Sequence, residues 1–148
     1  MSKIHLNIGS NLGDRRALIG RAVALLSRGV PGPARLYLSS YIESTPWGYT
    51  SPNPFLNLGV LILTPSRVDP FHLLDITQAV ERAIGSGAPH RNPDGTYCDR
   101  PIDIDIIQID NIALNTPRLT LPHPRATLRP FVLQPLQELE SLYTNISH

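Results

Sequence analysis

Apolar and polar residues alternate through Lys3-Ile4-His5-Leu6-Asn7-Ile8-Gly9, the period of a half-buried strand. Residues 9–13 then turn the chain. Asp14 is placed to cap a helix in which Leu18, Val23, Leu25 and Leu26 form a stripe, and Gly29 with Pro31 beyond it stops that helix. Aromatic and aliphatic residues at even spacing predict a second strand over 35–44. Three prolines (46, 52 and 54) and Gly48 make 45–54 a loop. Residues 55–63 (FLNLGVLIL) are apolar at nearly every position, as in a central strand covered on both faces. Asp69 caps a second helix running to about residue 84, with Phe71, Leu74, Ile76 and Val80 inward and Gly85-Ser86-Gly87 ending it. Residues 88–100 are polar and irregular, and 101–109 (PIDIDIIQI) form the most regular strand in the chain. A short edge strand is expected at 112–114. A last helix is expected over 130–142, with Pro130 near its start and Pro135 interrupting it.

The order β-α-β-β-α-β is that of a ferredoxin-like plan, an α+β fold with an antiparallel sheet and two helices on one face. A final helix on the other face would account for the two-sided apolarity of 55–63.

A chain of 148 residues and 16.3 kDa suits a single domain, 1–148. Hydrophobic residues at 41% and charged residues at 17% mark it as globular. Thirteen basic against twelve acidic residues give a net charge of +1, which argues against nucleic acid as a partner. The lone Cys98 excludes a disulfide framework and a cysteine-rich zinc site, and fits a reducing, cytoplasmic setting. No signal peptide and no membrane-spanning run is expected. With no exposed apolar patch evident in the pattern, a monomer is the expected state.

The sharpest chemical feature is Asp103-Ile104-Asp105. On a strand, residues two apart share a face, which sets the carboxylates roughly 7 Å apart while Ile102, Ile104 and Ile106 face the core. Two carboxylates so placed can converge on a pair of Mg²⁺ ions about 4 Å apart. An ordinary strand with a wet acidic face is the alternative, although Asp is depleted in strands and paired carboxylates repel. His90, Arg91, Arg100, Arg118, His123, Arg125 and Arg129 flank the pair, and arginine forks suit phosphate oxygens. The stretch 9–14 (GSNLGD) lacks the lysine of a phosphate-binding P-loop and reads as a tight turn with a helix cap. Phe55 and Asn57 share one strand face. With Phe131 they could sandwich a flat heterocycle, or they could simply be core aromatics.

Taken together, these segments resemble the 6-hydroxymethyl-7,8-dihydropterin pyrophosphokinase family of folate biosynthesis. The matching pieces occur in order over nearly the whole chain: 8–14, Ser44-Thr45-Pro46-Trp47-Gly48, 55–57, Gln78 with Glu81, 99–105, then 119–123 through Arg129 and Phe131. The resemblance implies a three-layer αβα sandwich. It implies transfer of the β,γ-pyrophosphate of ATP to the pterin hydroxymethyl group, with two Mg²⁺ ions held by Asp103 and Asp105. It assigns the pterin to Phe55, Phe131, Asn57 and Thr45, with Pro46, Trp47 and Gly48 beside them. It assigns the triphosphate to Arg100, His123 and Arg129, and nucleotide contacts to Gln78, Arg118, Ile106 and Thr120. Tyr97 falls at an aromatic position of a loop over 86–99 whose Gly, Pro and Asn content suits a lid.

Two departures stand out. Ser86 occupies a position where the family commonly has an arginine that neutralises phosphate charge, and His90 or Arg91 are the candidates to replace it. Pro124 follows His123, where many members carry an aromatic or polar residue. Ser86 motivates one competing reading, a relative that binds ATP and pterin without efficient turnover. A ferredoxin-like RNA-binding module is a second, opposed by the near-neutral charge and by a central strand without a row of exposed aromatics.

Overall fold

A computed structural model of the chain describes residues 1–46, 51–85 and 99–146. Trp47, Gly48, Ser86, His90, Arg91, Tyr97 and all of the expected lid but Asp99 lie outside the described residues.

The elements are β1 (Ser2–Ser10), α1 (Arg15–Gly29), β2 (Arg35–Leu38), β3 (Ile42–Ser44), β4 (Phe55–Thr64), α2 (Pro70–Gly85), β5 (Asp103–Ile109), β6 (Leu114–Asn115), β7 (Thr120–Leu121) and α3 (Pro130–Ile146). A single 3-10 turn over Ala126–Leu128 precedes α3. The main sheet runs β2-β4-β1-β5, antiparallel at every pairing, and β3 also pairs with β4. This is an α+β fold, as expected. Both helix caps are as read from sequence: Asp14 Oδ1 accepts from Ala17 N at 3.2 Å, and Asp69 Oδ2 from His72 N at 3.0 Å.

The sheet has one apolar face and one mixed face. Ile4, Leu6 and Ile8 of β1, Leu58, Val60 and Ile62 of β4, and Ile104, Ile106 and Ile109 of β5 join Ile19, Ala22 and Leu26 of α1 and Leu73 and Val80 of α2 in the principal core. The alternate positions face α3, which packs on β4, β1 and β3. A smaller core on that side gathers Ile107, Ala126 and Val132.

Four expectations change. First, β1 is buried on both faces rather than half-buried, because α3 covers its polar positions: His5 is 2% and Asn7 5% exposed. Second, the strand expected over 35–44 is broken at 39–41, where Ser39 Oγ accepts from Gly59 N at 2.8 Å and Ser40 bonds Glu138 of α3 through both its N and its Oγ. Third, residues around 112–114 do not edge the main sheet, since β6 pairs with β7 in a separate two-stranded ribbon. Fourth, Pro135 does not interrupt α3, which runs on to Ile146.

A bulge re-aims β5. Leu6 pairs with Ile106 and His5 with Gln108, so Ile107 is the extra residue. Its side chain joins the α3 layer while Ile106 and Ile109 stay in the principal core. Its carbonyl accepts from His123 N at 2.8 Å, which brings the segment after β7 alongside β5.

α3 is tied to β1 by Glu140, which accepts from Lys3 Nζ and from His5 Nε2, the latter at 2.7 Å. Burial lowers the His5 pKa, with Lys3 adding to the effect and the Glu140 carboxylate opposing it. Burial acts to raise Glu140, but the hydrogen bonds from Lys3 and His5 outweigh it and leave its pKa lowered. A neutral imidazole donating to a carboxylate is therefore the folded form. Both groups sit below their unfolded values of 6.5 and 4.5, so both stabilise the fold at neutral pH and lose that contribution as pH falls. Urea denaturation should show stability declining from about pH 6.5 downward. His5→Gln should flatten the upper part of that decline, and an unchanged profile would exclude His5 as its source.

Candidate active site

α3 does not cover the whole of the mixed face. Beyond its first turn lies a groove open to solvent on one side. Asn7 and Gly9 of β1 form its floor, with Phe55 and Asn57 of β4 on one side. Ser44 and Thr45 sit at the end of β3, and Arg100, Asp103, Asp105, Arg129 and Phe131 complete the lining.

Strand register explains the convergence. Gly9 is the neighbour of Asn57 on one side and of Asp103 on the other, and Asn7 likewise sits between Gly59 and Asp105. Two adjacent rows thus carry the amide and both carboxylates on one face. Gly9 keeps the slot open: a Cβ there would lie 3.1 Å from Asn57 Oδ1 and 3.3 Å from a Phe55 ring carbon. Asn57 donates its amide hydrogens to Ile42 O and Ser44 Oγ, at 3.1 and 2.9 Å, leaving Oδ1 as the acceptor beside Gly9.

The charged end is assembled by the turn after β1. Asn11 Oδ1 accepts from Arg100 N at 2.7 Å, and Asn11 N donates to Arg100 O at 3.1 Å. Asn11 Nδ2 also reaches Asp99, whose carboxylate accepts from Ser51 Oγ and Asn53 Nδ2. This network fixes the Arg100 backbone, and the guanidinium forks onto Asp103 with two contacts of 3.1 Å. Asp105 receives no hydrogen bond from the described residues. Burial raises its pKa, Arg100 and Arg129 oppose that shift, and Glu81 adds to it. Glu81 reaches over from α2 to accept from Ile104 N at the outer edge of β5, at 2.8 Å. Burial drives its pKa up to about 7, the Ile104 bond lowers it, and Asp103 raises it.

Of the residues singled out from sequence, the structure brings together Thr45, Phe55, Asn57, Arg100, Asp103, Asp105, Arg129 and Phe131. His123 stands near Arg129. Its Nδ1 accepts from Arg125 N at 3.2 Å, and burial, with Arg129 and Arg125, lowers its pKa, so Nε2–H is left as a donor. His123 and five others lie outside the groove lining. Ile106 points into the principal core, 3% exposed. Arg118 is exposed and pairs with Asp75 at 2.9 Å. Gln78 on α2, Thr120 on β7 and Pro46 are half-buried. The sequence reading gave no role to Asn7, Gly9, Ser44, Asn11 or Glu81, although all but Asn7 fall in the segments that carry the family resemblance. A glycine inside a strand and a polar pair inside an otherwise buried one were the available signals.

The donor set fits a divalent cation in part. Asp103 and Asp105 are hard oxygen ligands on one face, and Asp105 is a half-buried, desolvated carboxylate that opens onto the groove. Among the described residues no third carboxylate, histidine or cysteine joins them as a cluster, so further ligands would be water or phosphate oxygens. An aromatic slot beside paired carboxylates and two arginines is the equipment of an enzyme that joins a flat acceptor to a polyphosphate donor.

Comparison with known proteins agrees. The family model described as 7,8-dihydro-6-hydroxymethylpterin-pyrophosphokinase matches residues 5–141. A 2-amino-4-hydroxy-6-hydroxymethyldihydropteridine pyrophosphokinase from Porphyromonas gingivalis is 40% identical over 141 residues, covering 94% of this chain and 91% of that one. Proteins of the same name from Bacillus subtilis and Methylorubrum extorquens are 36% and 34% identical, with 91% and 94% of this chain covered and 76% and 83% of theirs. The chain belongs to the 7,8-dihydro-6-hydroxymethylpterin-pyrophosphokinase family, and is an ATP-dependent pyrophosphokinase.

The raised Glu81 pKa has a direct consequence. A carboxyl that titrates at about 7 in the fold favours folding while protonated, and that stabilisation is lost as pH rises through 7. Glu81→Gln keeps an acceptor for Ile104 N and removes the charge. It should stabilise the protein by about 1–3 kcal/mol at pH 8.5 and by much less at pH 5, in denaturant titrations. Equal effects at both pH values would show that Glu81 ionises normally.

Proposed function

We propose that the groove is the acceptor site of a cytoplasmic, monomeric enzyme. It transfers pyrophosphate from ATP to 6-hydroxymethyl-7,8-dihydropterin in folate biosynthesis, giving the pterin diphosphate and AMP. The observation that carries this is the convergence of Phe55, Asn57 and Phe131 with Asp103, Asp105, Arg100 and Arg129 on one uncovered patch of sheet. Among the described residues no helix is long and apolar enough to cross a membrane, and the single cysteine suits a reducing compartment.

In this reading the pterin lies between Phe55 and Phe131, gaining stacking on both faces. Asn57 Oδ1 accepts from its amino edge, and Thr45 adds a second polar contact. Asp103 and Asp105 would hold two Mg²⁺ ions, which when bound neutralise phosphate charge and favour displacement at phosphorus. Arg100 and Arg129 bind phosphate oxygens, and His123 supplies a neutral Nε2–H donor. The hydroxymethyl oxygen then attacks the β-phosphorus as its proton passes to solvent, the bond from the β-phosphorus to the bridging α-phosphate oxygen breaks, and AMP leaves. The chain's contribution is alignment and fixed charge rather than a covalent intermediate. Arg100 must share its fork between Asp103 and incoming phosphate, which places that ion pair where ATP binding is read out.

The deciding assay follows AMP release from protein, Mg-ATP and 6-hydroxymethyl-7,8-dihydropterin, omitting each in turn. AMP that requires all three is the expected result. ADP would mean single phosphoryl transfer, and no turnover with intact pterin binding would identify an impaired relative. Asp105→Asn should lower kcat at least about a hundredfold while leaving the melting temperature equal or higher, because a costly buried charge is removed. Near-full turnover would remove Asp105 from the site. Phe131→Ala should weaken pterin binding by roughly 1–3 kcal/mol, read as a rise in pterin KM with ATP KM little changed.

A further inference from the structure

Pro135 stands one turn inside α3, where helical geometry would have its N–H donate to the carbonyl of Phe131 four residues back. Proline has no N–H, and its ring crowds that carbonyl outward. The Phe131 carbonyl is nevertheless bonded: Asn7 Nδ2, from the central strand β1, donates to it at 3.0 Å. Asn7 is 5% exposed, so this amide is committed in the interior. Beside it, Gly59 makes room for the proline. A Cβ at Gly59 would come within 2.6 Å of Pro135 Cβ, and Gly59 is the register neighbour of Asn7. Proline, glycine and asparagine therefore form one interlocked unit.

We propose that Asn7 is a positioning residue for the pterin wall. By replacing the hydrogen bond that Pro135 cannot make, it pins the first turn of α3 to β1 and sets the Phe131 ring. The other neighbour of Asn7 is Asp105, so the same strand row references the aromatic wall to the acidic pair. Arg129, whose carbonyl accepts from Val132 N and Leu133 N at the helix start, moves with that turn. The proposal rests on the assignment of Phe131 to the pterin. Asn7 touches the groove floor as well, so a direct contact with ligand is the competing account.

A double-mutant cycle separates the two. Pro135→Ala restores an N–H at position 135 that can bond the Phe131 carbonyl, and it keeps the Cβ that meets Gly59. In the parent, Asn7→Ala should raise pterin KM about tenfold with ATP KM within twofold, the scale of leaving a buried carbonyl without its partner. In the Pro135→Ala background, Asn7→Ala should change pterin KM by less than about twofold, because the helix supplies the missing bond. Equal tenfold effects in both backgrounds would mean that Asn7 contacts the ligand itself, and no effect in either would mean that it positions nothing; both results overturn the proposal. Melting curves accompany all four proteins. If Asn7→Ala does not fold, Asn7→Ser, too short to span the contact, is read in its place by the same criteria. The separate variant Phe131→Ala distinguishes the layers. If it raises pterin KM while the Asn7 cycle is flat, only the positioning role fails. If it leaves pterin KM unchanged, the assignment of Phe131 fails with it.

Discussion

The second face of the sheet is only partly covered, and the rest of the molecule follows from where the cover ends. Three rows of residues cross that face: Leu61–His5–Gln108, Gly59–Asn7–Asp105 and Asn57–Gly9–Asp103. α3 lies over the first, and its opening turn meets the second. The third is bare floor. Burying β1 under a helix favours partners for its polar side chains, since an unpaired buried polar group costs about 1–3 kcal/mol. His5 finds Glu140 and Asn7 finds the Phe131 carbonyl. Gly9, with no side chain to pair, lies where the cover has stopped.

The charged groups obey a second constraint. Glu81, Asp103 and Asp105 are three carboxylates at one end of β5, and burial pushes two of them toward protonation. Arg100 and Arg129 offset part of that repulsion. Arg100 answers Asp103 through a forked pair, while Asp105 is left with long-range attraction and no hydrogen bond among the described residues. Such a centre gains stability on binding a cation. The arginines, relieved of carboxylate, then gain by binding phosphate. In the proposed reaction, metal and polyphosphate would therefore bind more favourably together than either alone, as suits a donor that arrives as a metal–nucleotide complex.

Much of this is legible in the sequence. The alternation of Ile102, Ile104 and Ile106 with Asp103 and Asp105 fixes the face of each, and the structure keeps that phase as far as Ile106. The two-sided apolarity of β4 announces a helix on each side. The missed features share a cause. The break at 39–41 and the bulge at Ile107 depend on which strand is the neighbour, which local periodicity does not contain. Pro135 reads as a breaker because the donor that replaces its N–H lies 128 positions away, at Asn7. Asn11 and Glu81 act by bonding backbone groups of Arg100 and Ile104. Every residue offers such groups, so residue type and spacing alone assign them no role.

That difference bears on which substitutions this chain can absorb. A group that touches phosphate or pterin must present one chemistry in one place. A group that holds the backbone needs only a donor or acceptor within reach, and the same carbonyl can be answered by a helical N–H or by a strand amide. Residue 135 and residue 7 are coupled in this sense. A proline at 135 makes an amide at 7 useful, and a non-proline at 135 would free position 7 to be small. The aromatic wall can then stay fixed while the pair that supports it changes together. On the proposal above, Asn7 acts through the Phe131 carbonyl that Pro135 leaves without a helical donor.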